Sequence, residues 1–262
     1  MKKLLLGNEA IARGAYEAGV RVSSAYPGTP STEINENVAT YPEIYSEWAP
    51  NEKVAVEVAL GAAVSGARSL ACMKHVGLNV AADPFFTATY TGVNAGMVVV
   101  VADDPGMHSS QNEQDTRMLA RASHAPVLDP SNSQECKDFL KLAYEISEKY
   151  DTPVILRVTT RIAHARTLVE LDERVEVPLR EYKRDIKKYV SMPANMIARH
   201  LYVEEREKKL AEDANTLPIN RIEWADRKIG VITSGAAYNY VKEAMPTASV
   251  LKLGLAYPMP RK

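Results

Sequence analysis

One carboxylate interrupts an otherwise apolar, helix-patterned stretch at residues 54–64. A stretch that is apolar on all sides is typical of a helix buried on every face. Because burying a charged carboxylate is costly, Glu57 is expected to bind a proton more tightly than usual or to meet a specific polar partner. Two interpretations stay open. Glu57 is either an acid that shares a proton with a ring nitrogen of a bound cofactor, or a helix acid that holds a backbone donor or a buried cation.

A second candidate segment is the loop at residues 26–33, which leads into a predicted helix. Pro27 stiffens this loop, Gly28 permits the close approach of a ligand, and Thr29 offers a hydroxyl group. The start of a helix also favours a bound carboxylate or phosphate. The alternative is a plain capping turn, in which the hydroxyl groups of the loop bond only to their own helix.

Cationic side chains are predicted at the carboxyl ends of two strands. Lys74 and His75 lie at the end of a predicted strand at residues 69–74, and Arg161 follows another at residues 154–159. Such groups suit an anionic substrate, because ligands bind at this edge of a parallel sheet. The alternative is a surface lysine, an ordinary arginine and a hydrogen-bonded histidine.

The acidic segment at residues 103–115 is long and polar, which favours a contact or lid segment over a metal site. Adjacent carboxylates along an extended chain point apart, and the sequence has no paired metal-binding histidines. It also lacks a phosphate-binding glycine loop and a nucleophile elbow. Cys72 and Cys136 are far apart, so by themselves they cannot complete a zinc site or a four-thiolate cluster. No metal ligand is therefore predicted.

The bulk composition excludes several classes of protein. The chain has 262 residues and a formal net charge of −1, without the clustered basic residues that nucleic-acid binding requires. No apolar stretch is long enough to span a bilayer. The apolar segment at the N-terminus is too short for a signal peptide, so a cytoplasmic protein is predicted.

Short predicted strands alternate with longer predicted helices. The strongest strand is the β-branched run at residues 97–102, and the clearest amphipathic helix spans residues 133–150. This pattern predicts an α/β fold with a mainly parallel sheet flanked by helices on both faces. We expect one such domain at residues 1–175, a charged helical connector at 176–226, and the start of a second α/β unit at 227–262.

Four segments together resemble a known family. They are residues 26–33, the helix of Glu57 with its extension to residue 68, residues 73–84 and residues 102–115. In order and sequence they are similar to the α subunit of indolepyruvate:ferredoxin oxidoreductase, a thiamine-diphosphate-dependent 2-oxoacid oxidoreductase. The resemblance extends over essentially the whole chain and implies that the first domain binds the pyrimidine of thiamine diphosphate.

The resemblance implies oxidative decarboxylation of an arylpyruvate to an aryl-acetyl-CoA, with electrons passing through 4Fe-4S clusters to ferredoxin. Thiamine enzymes use a glutamate at the N1′ atom of the aminopyrimidine, and Glu57 is expected to fill that role. His75 is expected to be a second catalytic residue. The expected cofactor contacts are Glu57, Pro27, Thr29 and Asn79. The expected substrate contacts are Thr29, Lys74 and Arg161.

The family also implies parts that this chain does not contain, namely a diphosphate-binding domain with a Mg²⁺ motif and a cysteine-rich cluster domain. We therefore expect the chain to be a piece of a longer protein or a subunit completed by a partner, inactive alone and assembled as a homodimer. Two alternatives stay open. One is a sibling enzyme acting on pyruvate or 2-oxoglutarate, and the other is a non-catalytic assembly module with the same fold.

Overall fold

Strands and helices alternate along most of the chain in the computed structural model, which describes residues 1–261. The strands are β1 (Lys2–Leu6), β2 (Val22–Ala25), β3 (Tyr45–Trp48), β4 (Ser69–Lys74), β5 (Met97–Asp103), β6 (Val127–Leu128), β7 (Val154–Thr159), β8 (Arg166–Glu170), β9 (Arg221–Glu223), β10 (Asp226–Ser234), β11 (Ala248–Leu253) and β12 (Leu255–Tyr257). The helices are α1 (Gly7–Glu17), α2 (Thr32–Val38), α3 (Glu52–Val64), α4 (His75–Val80), α5 (Ala82–Thr91), α6 (Thr116–Ser123), α7 (Ser133–Tyr150), α8 (Thr160–His164), α9 (Ile186–Tyr189), α10 (Pro193–Asp213) and α11 (Gly235–Ala244).

The main sheet has seven strands in the order β12-β6-β7-β5-β4-β2-β3. All neighbouring pairs are parallel except β12 with β6. Side chains of β5 alternate between two apolar clusters, with Val98 and Val100 in one and Val99 and Val101 in the other. The first cluster contains residues of α1, α2 and α7, and the second contains residues of α3, α4, α5 and α6. The predicted mainly parallel sheet, covered by helices on both faces, is confirmed.

Helix α3 packs on the sheet through one face only. Ala55, Ala59 and Ala63 are buried, whereas Glu57 and Gly61 are exposed. A Cβ atom added at Gly61 would have no neighbour within 4 Å. The prediction of a helix buried on every side is therefore wrong for this chain. An apolar composition leaves open which side of a helix will be covered.

Helix α10 is mostly exposed, as expected for a charged connector, but one of its faces packs on the rest of the chain. Val203 and Leu210 are buried, and Arg206 is almost fully buried beside α5. Its guanidinium donates to the backbone oxygens of Thr89 and Asp151 at 3.0 and 2.9 Å. These carbonyls lie at the ends of α5 and α7, so the arginine ties α10 to the first domain.

The C-terminal residues form a three-stranded sheet in the order β10-β11-β9, with α11 beside it. The strands and the helix expected for this segment are thus present, and its assignment as a second α/β unit stays a prediction. The last strand, β12, leaves this unit and pairs with β6 of the main sheet instead. Residues 255–257 therefore belong to the main sheet, whereas the boundaries proposed near residues 175 and 226 stay predictions. Across residues 1–261, none of the helices has the length and apolar character needed to cross a membrane.

Candidate functional site

A cavity of about 490 Å³ opens at the carboxyl ends of β2 and β4. The residues that line it come from four segments: Tyr26, Pro27 and Gly28 after β2, Glu52 at the start of α3, Lys74, Val76, Asn79 and Val80, and Gln111, Asn112 and Gln114. This is the edge at which parallel α/β sheets bind ligands. Pro27, Lys74 and Asn79 were predicted to act in one site, and all three line this cavity.

The loop after β2 is held by its own hydroxyl groups. The Gly28 N–H donates to Oγ1 of Thr32 at 2.9 Å, and the hydroxyl of Ser31 donates to the Gly28 carbonyl at 2.7 Å. Both hydroxyls thus bond to the backbone of the loop, and among residues 1–261 no side chain caps α2 in the way that the plain capping turn predicted. Because they fix the backbone on either side, Pro27 and Gly28 are presented to the cavity as a rigid wall.

Glu52 is the buried acid of this site. It is the first residue of α3, directly after Asn51, whose side chain caps the helix by accepting from the Val54 N–H at 3.0 Å. Glu52 is only 9% exposed and lines the cavity. Within residues 1–261 no hydrogen bond or ion pair engages its carboxylate. Because its side chain lines the cavity, a ligand bound there can reach this carboxylate.

Gly77 makes room for that carboxylate. A Cβ atom added at Gly77 would lie 2.6 Å from both Cγ and Oε1 of Glu52, far closer than atoms can pack. The missing side chain therefore lets Glu52 lie against the first turn of α4. This is the packing reason for a glycine in the segment that follows β4.

Lys74 and His75 are both buried by the polar segment above them. The Nζ atom of Lys74 donates to the Ser109 carbonyl at 2.5 Å. Nε2 of His75 lies 3.0 Å from the Asn112 carbonyl, which can only accept, so Nε2 carries the proton. Nδ1 of His75 is buried without a partner among the described residues. Lys74 reaches the cavity wall, whereas His75 lies outside the set of lining residues.

The predicted contact or lid segment is fixed by Asp104. This carboxylate accepts from the Ser109 N–H at 2.8 Å, from the Ser110 hydroxyl at 2.6 Å and from the Thr160 hydroxyl at 2.8 Å. Burial opposes ionisation of Asp104, but these hydrogen bonds outweigh it and lower its pKa to about 2. The segment is therefore tied to the sheet edge by an ionised, almost fully buried side chain.

The prediction that Glu57 is a buried acid is wrong. Glu57 lies on the outer face of α3 and is exposed, while Glu52, five residues earlier, faces the cavity. Burial of Glu57 would require a partner that covers the outer face of α3.

The remaining predicted residues do not meet in the same cavity. Thr29 is exposed and belongs to the same loop as Pro27, but it is not among the residues that line the cavity. Arg161 lines a second cavity, on the other side of residues 104–115. Gln111, Asn112 and Gln114 of that segment line the first cavity, and Pro105 and His108 line the second. The sheet edge is thus divided in two.

A buried ionic network at this edge was not predicted. Arg157 of β7 donates through Nε to Asp103 at 2.7 Å and contacts Asp129 through Nη1 at 3.2 Å. Burial raises the pKa of Asp129 against the attraction of Arg157. Arg157 sits within an apolar strand, and a charge at such a place is the signal that could have indicated the network. Glu52 could have been found from its spacing, since it shares a helix face with Ala55, Ala59 and Ala63.

The two cysteines are free and buried, as expected for structural thiols. Burial raises the pKa of both Cys72 and Cys136, which keeps them protonated. Neither residue lines either cavity described above.

Comparison with solved structures supports the fold. A 2-oxoglutarate:ferredoxin oxidoreductase from Magnetococcus marinus, solved with 2-oxoglutarate, coenzyme A and succinyl-CoA bound, superposes with a TM-score of 0.81. The match covers 99% of this chain and 55% of that chain, at 20% identity.

Sequence comparison shows more specific similarity. The chain is 48% identical to the indolepyruvate oxidoreductase subunit IorA of Pyrococcus horikoshii, over 99% of its own length and 42% of that protein. It is 44% identical to the corresponding subunit of Archaeoglobus fulgidus, over 100% of its own length and 44% of that protein. The chain thus spans less than half the length of these relatives, which are named as subunits of an oxidoreductase.

Residues 13–220 match the profile of the pyruvate flavodoxin/ferredoxin oxidoreductase family, in its thiamine-diphosphate-binding domain. That range contains the whole of the Glu52 cavity and all strands of the main sheet from β2 to β7. By this match, together with the fold and its relatives, the chain belongs to the pyruvate flavodoxin/ferredoxin oxidoreductase family and carries its thiamine-diphosphate-binding domain.

Proposed function

We propose that this chain supplies the pyrimidine side of a thiamine diphosphate site in an enzyme that oxidatively decarboxylates arylpyruvates such as indolepyruvate. Two kinds of observation support the proposal. The relatives with 44–49% identity carry the name indolepyruvate oxidoreductase, and residues 13–220 match a thiamine-diphosphate-binding family. The cavity at the sheet edge holds an unpaired buried acid.

Glu52 carries the proposal. A buried carboxylate without a protein partner can share a proton with a ring nitrogen, and the aminopyrimidine of thiamine diphosphate offers one at N1′. Glu52 lies in the first turn of α3, and its side chain lines the cavity.

Other residues of the cavity hold the ring and exclude water. Pro27 and Gly28 form one wall, and Asn79 lies on the opposite side. Lys74 anchors the segment at residues 104–115 over the opening through the Ser109 carbonyl. Thiamine diphosphate, when bound, supplies the carbanion chemistry that cleaves the bond beside the carbonyl group of a 2-oxoacid.

The diphosphate site, Mg²⁺ and 4Fe-4S clusters are proposed to come from parts outside this chain. Among residues 1–261, no group of three metal-ligating side chains is placed to hold a metal ion. The relatives are more than twice as long as the matched region, which leaves ample sequence for such parts. Coenzyme A is proposed as the acyl acceptor and ferredoxin as the electron acceptor, in a cytoplasmic complex.

The dimer stays a prediction, and the outer face of α3 is the surface that supports it. Val58, Gly61 and Ala62 lie on this face and are half-buried or exposed. An apolar helix face of this kind is typical of a surface covered by a partner. A second copy of the chain is our proposed partner, and sedimentation that gives a monomer would contradict it.

Substrate profiling of the complete enzyme tests the proposed function. We expect a higher kcat/KM for indolepyruvate than for pyruvate or 2-oxoglutarate. A preference for 2-oxoglutarate would favour the sibling enzyme instead, which has support from a 31% identical 2-oxoglutarate synthase subunit of Methanothermobacter thermautotrophicus over 65% of this chain. An assembly that turns over none of these acids, although its cofactors are bound, would favour the non-catalytic module.

Binding of thiamine diphosphate to the isolated chain is a separate test. Only the pyrimidine side of the site is proposed to lie here, so calorimetry should show weak binding or none. Tight binding that depends on Mg²⁺ would contradict the division of the site between this chain and other parts.

A further inference from the structure

A second cavity of about 600 Å³ lies between the end of β7 and the start of α11. Three arginines and two histidines line it, and none of the described residues that line it is acidic. No residue lines both this cavity and that of Glu52. An inference about this cavity therefore does not rest on the proposed function.

Two of the arginines are already neutralised. Arg157 is held by Asp103 and Asp129, and Arg117 pairs with Asp115 at 2.8 Å. Since these carboxylates compensate the two guanidinium groups, neither arginine leaves free charge in the cavity. The cationic character of the cavity must come from the other side chains.

Arg161 supplies that charge. Its guanidinium makes no hydrogen bond or ion pair within the part of the chain that the structure describes. His164, one turn later, approaches Glu33 only at 3.7 Å, and His108 lies across the cavity. An arginine that faces a cavity without a carboxylate partner presents a forked set of donors to an oxyanion.

An unpaired hydroxyl points to a ligand independently of that charge. Thr159 is 7% exposed and lines the cavity, and its Oγ1 atom is buried without a hydrogen-bond partner in residues 1–261. Buried hydroxyl groups are almost always hydrogen-bonded, because burial removes the water molecules to which an unpaired hydroxyl would otherwise bond. An oxygen atom of a bound anion would accept the proton of this hydroxyl.

The start of α11 forms the third side. This helix has ten residues, and Ala236 and Ala237 of its first turn line the cavity with only methyl groups. The hydroxyl of Ser234 does not cap α11, because it donates to Asp129 at 2.8 Å. The carboxylate of Asp129 lies against Gly235, the first residue of α11. The first N–H groups of a helix have no partner within it, and two of the residues that carry them, Ala236 and Ala237, line the cavity.

We propose that this cavity binds an oxyanion group of a small molecule, either a phosphate or a carboxylate, between Arg161, the hydroxyl of Thr159 and the first turn of α11. The bound group takes the uncompensated charge of Arg161 and satisfies the buried hydroxyl. It also joins the main sheet to the second α/β unit, since β7 and α11 contribute opposite sides.

Titration of the full chain with two probes at constant ionic strength tests this proposal. Inorganic phosphate and phenylacetate represent the two sources of the anion. Calorimetry or chemical-shift changes measure the binding of each probe. We expect saturable binding of at least one probe, and the probe that saturates identifies the source. The absence of saturation with both probes would overturn the proposal.

Matched variants locate the bound probe. Arg161→Gln should weaken binding at least about tenfold, as for a charge-assisted hydrogen bond. Arg184→Gln is the control, because Arg184 is also exposed and unpaired among the described residues but lines neither cavity. Equal affinities of the two variants would place the anion elsewhere and overturn the proposal.

Thr159→Val separates binding from stability. The change keeps the volume and removes the hydroxyl, so binding should weaken about fivefold while the melting temperature is unchanged or higher. A variant with unchanged affinity and a lowered melting temperature would show that Thr159 is structural and would contradict its part in the site.

Discussion

Glu52 and Glu57 occupy the same helix, yet their surroundings differ completely. Glu52 lies in the first turn, almost fully buried, beside a cavity and against Gly77. Glu57 follows five residues later and faces outward. The difference shows that an acid within an apolar sequence need not be a buried acid. The helix face decides burial, and the sheet contacts only the face that contains Glu52.

The largest effect is expected from Gly77→Ala. The added methyl group would meet the Glu52 side chain at 2.6 Å and displace its carboxylate from the cavity. Turnover of the complete enzyme should fall about a hundredfold, because displacements of about 1 Å in a catalytic group have effects of that size. Steady-state kinetics measure this, and the melting temperature should change little because a flexible side chain can move aside. Full activity would show that Glu52 need not occupy this position.

Val56→Ala and Val58→Ala together compare the two faces of α3 through the free energy of unfolding. Val56 is fully buried against the sheet, so its truncation should lower the free energy of unfolding by about 2 kcal/mol. Val58 is only half-buried, and Val58→Ala should cost less than about 1 kcal/mol. Urea denaturation of the monomeric chain, at concentrations below those at which the proposed dimer forms, measures both values. Equal losses would mean that the outer face of α3 is covered as well.

The Asp104 carboxylate makes the stability of the segment at residues 104–115 depend on pH. Its folded pKa of about 2 lies below the ordinary value of 3.8, so the stabilisation is fully present above about pH 4. It is lost as the pH falls through about 2. The difference in unfolding free energy between the wild type and Asp104→Asn should therefore shrink between pH 4 and pH 2. Asp83→Asn, at a side chain that is 77% exposed, is the control and should show a smaller change. A constant difference for Asp104→Asn would contradict the hydrogen-bonded carboxylate.

The smallest effect is expected from Gly61→Ala, which should raise the free energy of unfolding rather than lower it. Nothing lies within 4 Å of a Cβ atom added there, and the residue is within a helix. Alanine should raise the free energy of unfolding by about 0.5–1 kcal/mol, because glycine loses more conformational entropy in a helix. A loss of stability would mean that Gly61 makes a close contact in solution.

Much of the fold was predictable because the strands of the main sheet are short apolar runs. The predicted bounds of β4 and β7 are the observed ones, and α7 also begins and ends at the predicted residues. Strand β12 was not predictable as part of the main sheet. It has three residues, and its pairing with β6 depends on a return of the chain across more than a hundred residues.

The location of the site was predictable, and the helix spacing indicates the face of Glu52 but not how deeply it is buried. The loop after β2 and the segment after β4 do meet at one sheet edge, as parallel topology requires. Glu52 resembles an ordinary first-turn acid beside the capping residue Asn51. Its burial depends on contact with Gly77, which is distant in sequence. Arg161 was placed at the correct edge, but residues 104–115 separate it from Lys74.

A carboxylate of α3 is proposed to serve the cofactor, either Glu52 at the cavity or Glu57 on the face that a second copy of the chain is proposed to cover. Turnover of the complete enzyme with Glu52→Gln and with Glu57→Gln is the measurement that decides. Loss of the acid that serves the cofactor should lower turnover at least a hundredfold, within the range of positioned acid–base groups. Full activity in both variants would contradict the proposal.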